Sequence, residues 1–320
     1  MRIGLVLSPM SETNLKLAAQ IGASDVVYYD MDGMPDTYEE LARHKSRVAD
    51  FGLQMSVVEG GPPVTDIVLA TGRRDAAIEH FKRCLDAMGR AGVRTLCYNF
   101  MPRPVRVFRT SYATPGRGGA LTSSFRLADF DAAARTDAGE ASDEQLWDRL
   151  EYFLKRIVPA AEAAEVRLAV HPDDPPISPL CGVARILRSP DHFQRLIDLV
   201  PSACNGLTFC QGCFTEMGAD IPATIRRFAR HIHFAHFRDV AGTATDFTET
   251  FHDNGPTDMA AAMRAYFQIN YRGVIRPDHV PLLAGEPGPA NGYTMLGRLF
   301  AVGYMRGLMH AIERDPRGPA

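Results

Sequence analysis

Eight short apolar runs, each followed by a stretch of helical periodicity, constrain the fold of this chain more than any other feature. The runs are Ile3–Leu7, Asp25–Tyr29, Gln54–Glu59, Arg94–Asn99, Arg167–His171, Gly206–Cys210, His231–Phe237 and Gly273–Asp278. They are too short for buried helices and rich in β-branched residues, so they read as strands buried on both faces. Helical patterns fall between them, at about 12–22, 37–51, 75–91, 143–164, 191–199, 220–229, 257–268 and 293–312. Strand and helix alternating throughout predict a parallel sheet with helical crossovers. Eight strands, with no glycine-rich phosphate loop after the first, favour a closed (β/α)8 TIM barrel over a doubly wound sheet. A single domain over residues 1–313 is expected, with a frayed tail at 314–320.

The longest interruption, 100–142, follows the fourth strand. It carries Pro102, Pro104, Pro115, Gly116, Gly118 and Gly119 and reads as a long loop without a strong element of its own. Loops of this length tend to be lids or irregular segments. A barrel puts whatever follows a strand at its catalytic mouth.

The formal net charge of −3 gives no basic footprint for nucleic acid or an anionic membrane, so neither is an expected partner. No apolar run approaches the ~18–20 residues that span a bilayer. Six cysteines in 320 residues do not make a disulfide scaffold, and a cytoplasmic address is expected. A small molecule is the expected partner; pairing into a homo-oligomer stays open.

Each of the last four strands ends in a group that can bind a metal. These are His171 after Leu168-Ala169-Val170, Cys210 after Leu207-Thr208-Phe209, His236 within His231–Phe237, and Asp278 after Val274-Ile275-Arg276-Pro277. The C-terminal strand ends of a barrel converge on one face, so these side chains are expected to meet. Two imidazoles, a thiolate and a carboxylate suit a first-row divalent cation such as Mn²⁺, Fe²⁺, Co²⁺ or Zn²⁺, and Mg²⁺ stays open. In His171-Pro172-Asp173-Asp174-Pro175-Pro176, Asp173 or Asp174 is expected to orient the His171 ring.

Beside this set, His279 is a candidate proton-transfer group because imidazole titrates near neutral pH. Tyr293 is a second, through its phenol. Arg109 and Arg276 are candidate carboxylate clamps, since guanidinium grips a carboxylate with a two-pronged fork. Asn99 and His252 complete the expected substrate contacts. His233 lies an odd number of residues from His236 on the same strand, so alternation turns it to the opposite face and a structural role is expected.

Several of these segments resemble the mannonate dehydratases. The resemblance is carried by Cys97-Tyr98-Asn99-Phe100-Met101-Pro102, by the His171–Pro176 run, and by Asn205-Gly206-Leu207-Thr208-Phe209-Cys210-Gln211-Gly212. It continues through His233-Phe234-Ala235-His236-Phe237-Arg238, Phe251-His252-Asp253-Asn254-Gly255, Arg276-Pro277-Asp278-His279, Asn291-Gly292-Tyr293-Thr294 and Gly297-Arg298, covering roughly residues 55–310. It implies a xylose-isomerase-like barrel that dehydrates an aldonic acid, D-mannonate to 2-keto-3-deoxy-D-gluconate, with Mn²⁺ as the usual metal. It also implies metal binding by His171, Cys210, His236 and Asp278, and proton transfer by His279 and Tyr293. The chain departs from the family where Tyr29-Asp30-Met31-Asp32-Gly33-Met34-Pro35 replaces a histidine-containing loop, at Val280, and over Arg103–Thr110. A sugar isomerase or epimerase on the same barrel is the nearest alternative, disfavoured by the thiolate ligand. A non-catalytic sugar-acid binding homologue is the other.

Overall fold

A computed structural model describes residues 1–30, 33–105 and 109–315. Met31 and Asp32 of the loop after the second strand, Arg106–Phe108 and the last five residues lie outside the described residues. In chain order the strands are β1 (Arg2–Val6), β2 (Asp25–Tyr29), β3 (Gln54–Gly60), β4 (Thr95–Tyr98), β5 (Ser111–Pro115) and β6 (Leu121–Arg126). They continue with β7 (Arg167–Val170), β8 (Asn205–Cys210), β9 (Ile232–His236), β10 (Val240–Thr243), β11 (Asp246–Glu249) and β12 (Val274–Arg276). The helices are α1 (Glu12–Gln20), α2 (Tyr38–Ala49), α3 (Thr65–Val68), α4 (Arg74–Ala91) and α5 (Asp143–Ala163). Then come α6 (Pro190–Leu199), α7 (Gln211–Glu216), α8 (Ile221–Arg227), α9 (Met259–Gln268) and α10 (Met295–Glu313).

Eight strands close into a barrel in the order β1-β12-β9-β8-β7-β4-β3-β2, each paired in parallel with its neighbours. These are the eight expected runs. Side chains alternate between the barrel interior and the helical shell. Val6, Val27, Val57, Cys97, Ala169, Phe234 and Val274 pack together in one internal cluster. Two residues further along six of these strands, alternation delivers Tyr29, Glu59, Asn99, His171, His236 and Arg276 toward the C-terminal mouth. Cys210 joins them from β8, two residues beyond Thr208, whose hydroxyl donates to the Ala169 carbonyl at 2.9 Å inside the barrel. Apolar filling thus gives way to polar groups at one level of the barrel, which is where chemistry can sit.

The helices form the outer ring over one large core. α5 starts with a capping box, Ser142 accepting from the Gln145 backbone while Gln145 returns a bond to Ser142. Among the described residues, no helix is long and apolar enough to cross a membrane.

The described part of the 100–142 segment is more ordered than the sequence suggests. β5 and β6 form a hairpin, and β6 pairs with β11 of a second hairpin, giving a four-stranded antiparallel sheet ordered β10-β11-β6-β5. Neither hairpin has a strong apolar alternation. The sheet holds together because its halves, 120 residues apart in sequence, share a small core of Phe125, Val240 and Phe247. A bridge between Leu121 and Leu282 ties it to the loop after β12. This cap supplies side chains to the mouth that no barrel strand carries.

Candidate metal centre and active site

One ligand atom from each of His171, Cys210, His236 and Asp278 lies within 4.8 Å of every other. Cys210 Sγ is 3.7 Å and His236 Nδ1 is 3.3 Å from Asp278 Oδ2, and the two imidazole rings are 5.1 Å apart. His236 Nδ1 is buried and makes no hydrogen bond within the chain, although sulfur and oxygen donors face it. A buried polar atom without a partner costs about 1–3 kcal/mol. A cation among these donors removes that cost, so the residues fit a divalent metal.

The sequence predicted an Asp partner for His171. Instead His171 Nδ1 bonds the carbonyl of the adjacent Pro172 at 2.7 Å, which leaves Nε2 for the centre. The turn brings that carbonyl nearer than either carboxylate. Asp173 accepts from the Leu187 backbone at 2.7 Å, and Asp174 is taken by Arg109 and Arg238. Asp278 follows β12 with a positive φ of 20°, a conformation uncommon outside glycine. Burial alone would raise its carboxyl, but Arg276, His279 and His236 outweigh burial and hold it well below the usual range. Burial likewise opposes ionisation of Cys210, and the hydrogen bond from Cys213 with the charge of Arg238 overcomes it. A thiolate and a carboxylate therefore stand ready.

Arg276 does not clamp a substrate in this arrangement. Its guanidinium lies below the four donors, bonded to Glu59 and to Asp278 Oδ1 at 2.7 Å, with Nε 3.1 Å from His236 Nε2. It is a buried brace for the candidate ligands His236 and Asp278. Arg109 reaches in from the cap, forms a two-pronged pair with Asp174 at 2.6 and 2.9 Å, and meets Glu249 at 2.9 Å. It still borders the cavity. His252 does not: it is fully buried against Phe237, and burial pushes its pKa down to about 4. The chain after β11 carries it behind the site. His233 packs away from the four donors. Its ring covers Gly206 and bonds the Leu168 carbonyl at 2.8 Å, although a register shift between β8 and β9 breaks simple alternation there.

Above the donors opens a cavity of about 370 Å³, lined by His171, Asp278, His279, Tyr293, Asn99 and Arg109. Ser8, Tyr29, Glu59, Tyr112, Ser123, Asp174 and Asn291 complete the wall. His279 and Tyr293 meet edge to face at 5.5 Å, and the ring of Tyr29 lies 5.2 Å from that of Tyr293. Gly292 has φ +86°, and a Cβ there would lie 2.7 Å from the His279 ring, so only glycine lets the chain pass.

Three contributors escaped sequence reasoning. Glu249, on the cap, accepts from His279 Nδ1 at 2.8 Å. Arg238 joins four acidic groups: Nε to Asp278 at 2.8 Å, Nη2 to Asp174 at 3.1 Å, Nη1 to Glu249 at 3.1 Å, and Nη1 3.6 Å from Glu216. Glu59 ends an apolar strand as the four ligands do, so the same argument would have found it. No sequence signal marks Glu249, which sits in an unremarkable Thr-Glu-Thr.

The same architecture occurs in known proteins. The family model for D-mannonate dehydratase (UxuA) matches residues 11–137 and 127–317. A mannonate dehydratase from Oceanobacillus iheyensis is 33% identical over 312 residues, covering 87% of each chain. One from Thermotoga maritima is 33% identical over 320 residues, covering 87% of this chain and 86% of its own. The chain belongs to the D-mannonate dehydratase family. With membership comes the reaction class: it is a hydro-lyase. The crystal structure of mannonate dehydratase from Streptococcus suis serotype 2 superposes with a TM-score of 0.89 at 30% identity, covering 99% of this chain and 95% of its own. An L-ribulose 3-epimerase shares the barrel at a TM-score of 0.63 and 17% identity, a likeness of fold alone. The dehydratase barrel is thus the expected one.

Proposed function

We propose that this enzyme removes water from D-mannonate to give 2-keto-3-deoxy-D-gluconate, using a divalent cation held by His171, Cys210, His236 and Asp278. The observation that carries the reading is the convergence of these four donors beneath a cavity bordered by His279 and Tyr293. Mn²⁺ is the ion that the resemblance to the mannonate dehydratases implies; two nitrogens, one sulfur and one oxygen by themselves suit first-row divalent metals in general, with positions left for substrate. When bound, the cation supplies Lewis-acid stabilisation of the charge that builds on the substrate carboxylate as the C2 proton leaves.

The protein residues do the rest. Glu249 holds Nδ1 of His279, which fixes the ring and leaves Nε2, 3.8 Å from Asp278 Oδ1, facing the site. His279 so oriented fits the base that takes the C2 proton. Burial, followed by the neighbouring Tyr29, raises the Tyr293 phenol well above its ordinary value, so it keeps its proton. Tyr293 fits the acid that protonates the departing C3 hydroxyl. Arg109 and Asn99, from the cap and the end of β4, fit contacts to the sugar acid. The six cysteines are all free thiols, which suits the reducing cytoplasm.

The deciding experiment incubates metal-reconstituted protein with D-mannonate and traps the keto acid with semicarbazide. Dehydration yields a semicarbazone that absorbs in the ultraviolet. An isomerised or epimerised aldonate, or a tightly bound but unchanged one, yields none and would sink the proposal.

A further inference from the structure

The proposed chemistry uses Cys210 and leaves Cys213 without a task. The two cysteines bracket Gln211-Gly212 at the start of α7, and both side chains are fully buried. Cys210 caps the N-terminus of α7 and Cys213 lies in its first turn, the Cys-X-X-Cys spacing at a helix start that suits a reversible disulfide. They flank one guanidinium: Arg238 Nη2 is 3.3 Å from Cys213 Sγ, and Arg238 Nε is 2.8 Å from the same Asp278 oxygen that lies 3.7 Å from Cys210 Sγ. Cys213 stands outside the four-donor cluster. Its own acidic neighbours, Asp174 and Glu216, are already met by Arg238, so it is not needed to hold a cation.

We propose that Cys210 and Cys213 close into a reversible disulfide that withdraws the sulfur ligand and releases the metal. The proposal rests on the reading of Cys210 as a ligand. The oxidant is a hydroperoxide. The Cys210 thiolate attacks one peroxide oxygen, the O–O bond breaks, and the hydroxide that leaves takes a proton from solvent as the first water, with a sulfenic acid left on Cys210. Cys213 sulfur then attacks Cys210 sulfur, the S–S bond forms and the S–O bond breaks. The departing hydroxide takes the Cys213 proton as the second water. The thiolate and the thiol lose two electrons between them and the peroxide gains them. Access follows from the metal reading itself: His171 and Asp278, either side of Cys210, line the open cavity, and a route that admits a hydrated cation to Sγ admits hydrogen peroxide. A dithiol reductant reverses the step by exchange.

The test uses the full-length protein loaded with Zn²⁺, which has no redox chemistry of its own. Hydrogen peroxide is added, released zinc is read with a chromogenic chelator, and peptides are mapped without reduction. The expected result is a Cys210–Cys213 linked peptide that appears in step with about one equivalent of zinc, both reversed by dithiothreitol. Cys213→Ser should form no link and release zinc at least tenfold more slowly. Zinc loss at the wild-type rate in Cys213→Ser, or loss from the wild type without the linked peptide, overturns the proposal. The wild-type peptide map needs no variant and stands even if Cys213→Ser folds poorly. A chain that takes up no zinc at all counts instead against the metal centre, while the peptide map still decides on the disulfide.

Discussion

Glu249 Oε1 and His279 Nδ1 are 2.8 Å apart, and they come from different parts of the molecule. Glu249 ends a strand of the antiparallel cap, whereas His279 follows the last barrel strand. The carboxylate is itself anchored by Arg109 and Arg238. The cap therefore orients a group of the barrel, and the active site exists only once the two are docked.

Glu249→Gln keeps the shape and removes the charge. Its expected effect is a fall in kcat of about 10–100-fold with D-mannonate, with KM nearly unchanged, because the ring loses its orienting acceptor while the cavity keeps its form. Steady-state kinetics separate the two constants. An equal change in KM alone would point to substrate binding instead.

His279→Ala and His236→Ala should separate chemistry from metal binding. The first is expected to lower kcat about 100-fold or more and leave metal content near one per chain. The second is expected to lose metal on dialysis, since a buried ligand disappears. Metal analysis of the two purified variants, beside their activities, checks the assignment. A metal-free His279→Ala protein would contradict it.

Metal uptake should release protons. Burial and Arg276 oppose the charged form of His236, but Asp278 and Glu59 on its two sides outweigh them and raise its pKa to about 10 in the metal-free chain. A cation therefore competes with a proton for this ring. About one proton per metal is expected at pH 8, and affinity should weaken as pH falls. Calorimetric titration in buffers of different ionisation enthalpy counts the protons.

Acid should unfold the metal-free chain through Asp174 and Glu59. Burial raises both, yet Arg109 for Asp174 and Arg276 for Glu59 bring each down to about 2. Their folded values lie below the unfolded values of about 4, so their stabilisation is complete above pH 4 and is lost as pH falls toward 2. Arg109→Met leaves Asp174 with one fewer cation and should cost about 3–5 kcal/mol at neutral pH. Urea unfolding across this pH range measures both effects. An unchanged midpoint in the variant would show that the pair contributes little.

The barrel was legible because its strands carry a local signal: short runs rich in Val, Ile, Leu and Phe whose C-terminal ends turn polar. The same signal exposed His171, Cys210, His236 and Asp278, since a parallel barrel leaves strand ends in one place. Loop residues were harder. His252 looked like a substrate contact beside an Asp-Asn-Gly turn, yet the chain buries it against Phe237. Arg276 looked like a clamp and is a brace, because its neighbours Glu59 and Asp278 are decided by strand register.

By itself the sequence determined the order of strands and helices and which end of the barrel carries polar donors, because periodicity and strand-end chemistry are properties of neighbouring residues. Tertiary structure alone decided that β6 pairs with β11, that Glu249 meets His279, and that Arg238 joins Asp174, Glu249 and Asp278. Apart from Arg238 and Glu249, 11 residues apart, those contacts join residues 30 or more apart in sequence. Their energy appears only when burial removes water from both partners, and no local pattern records that.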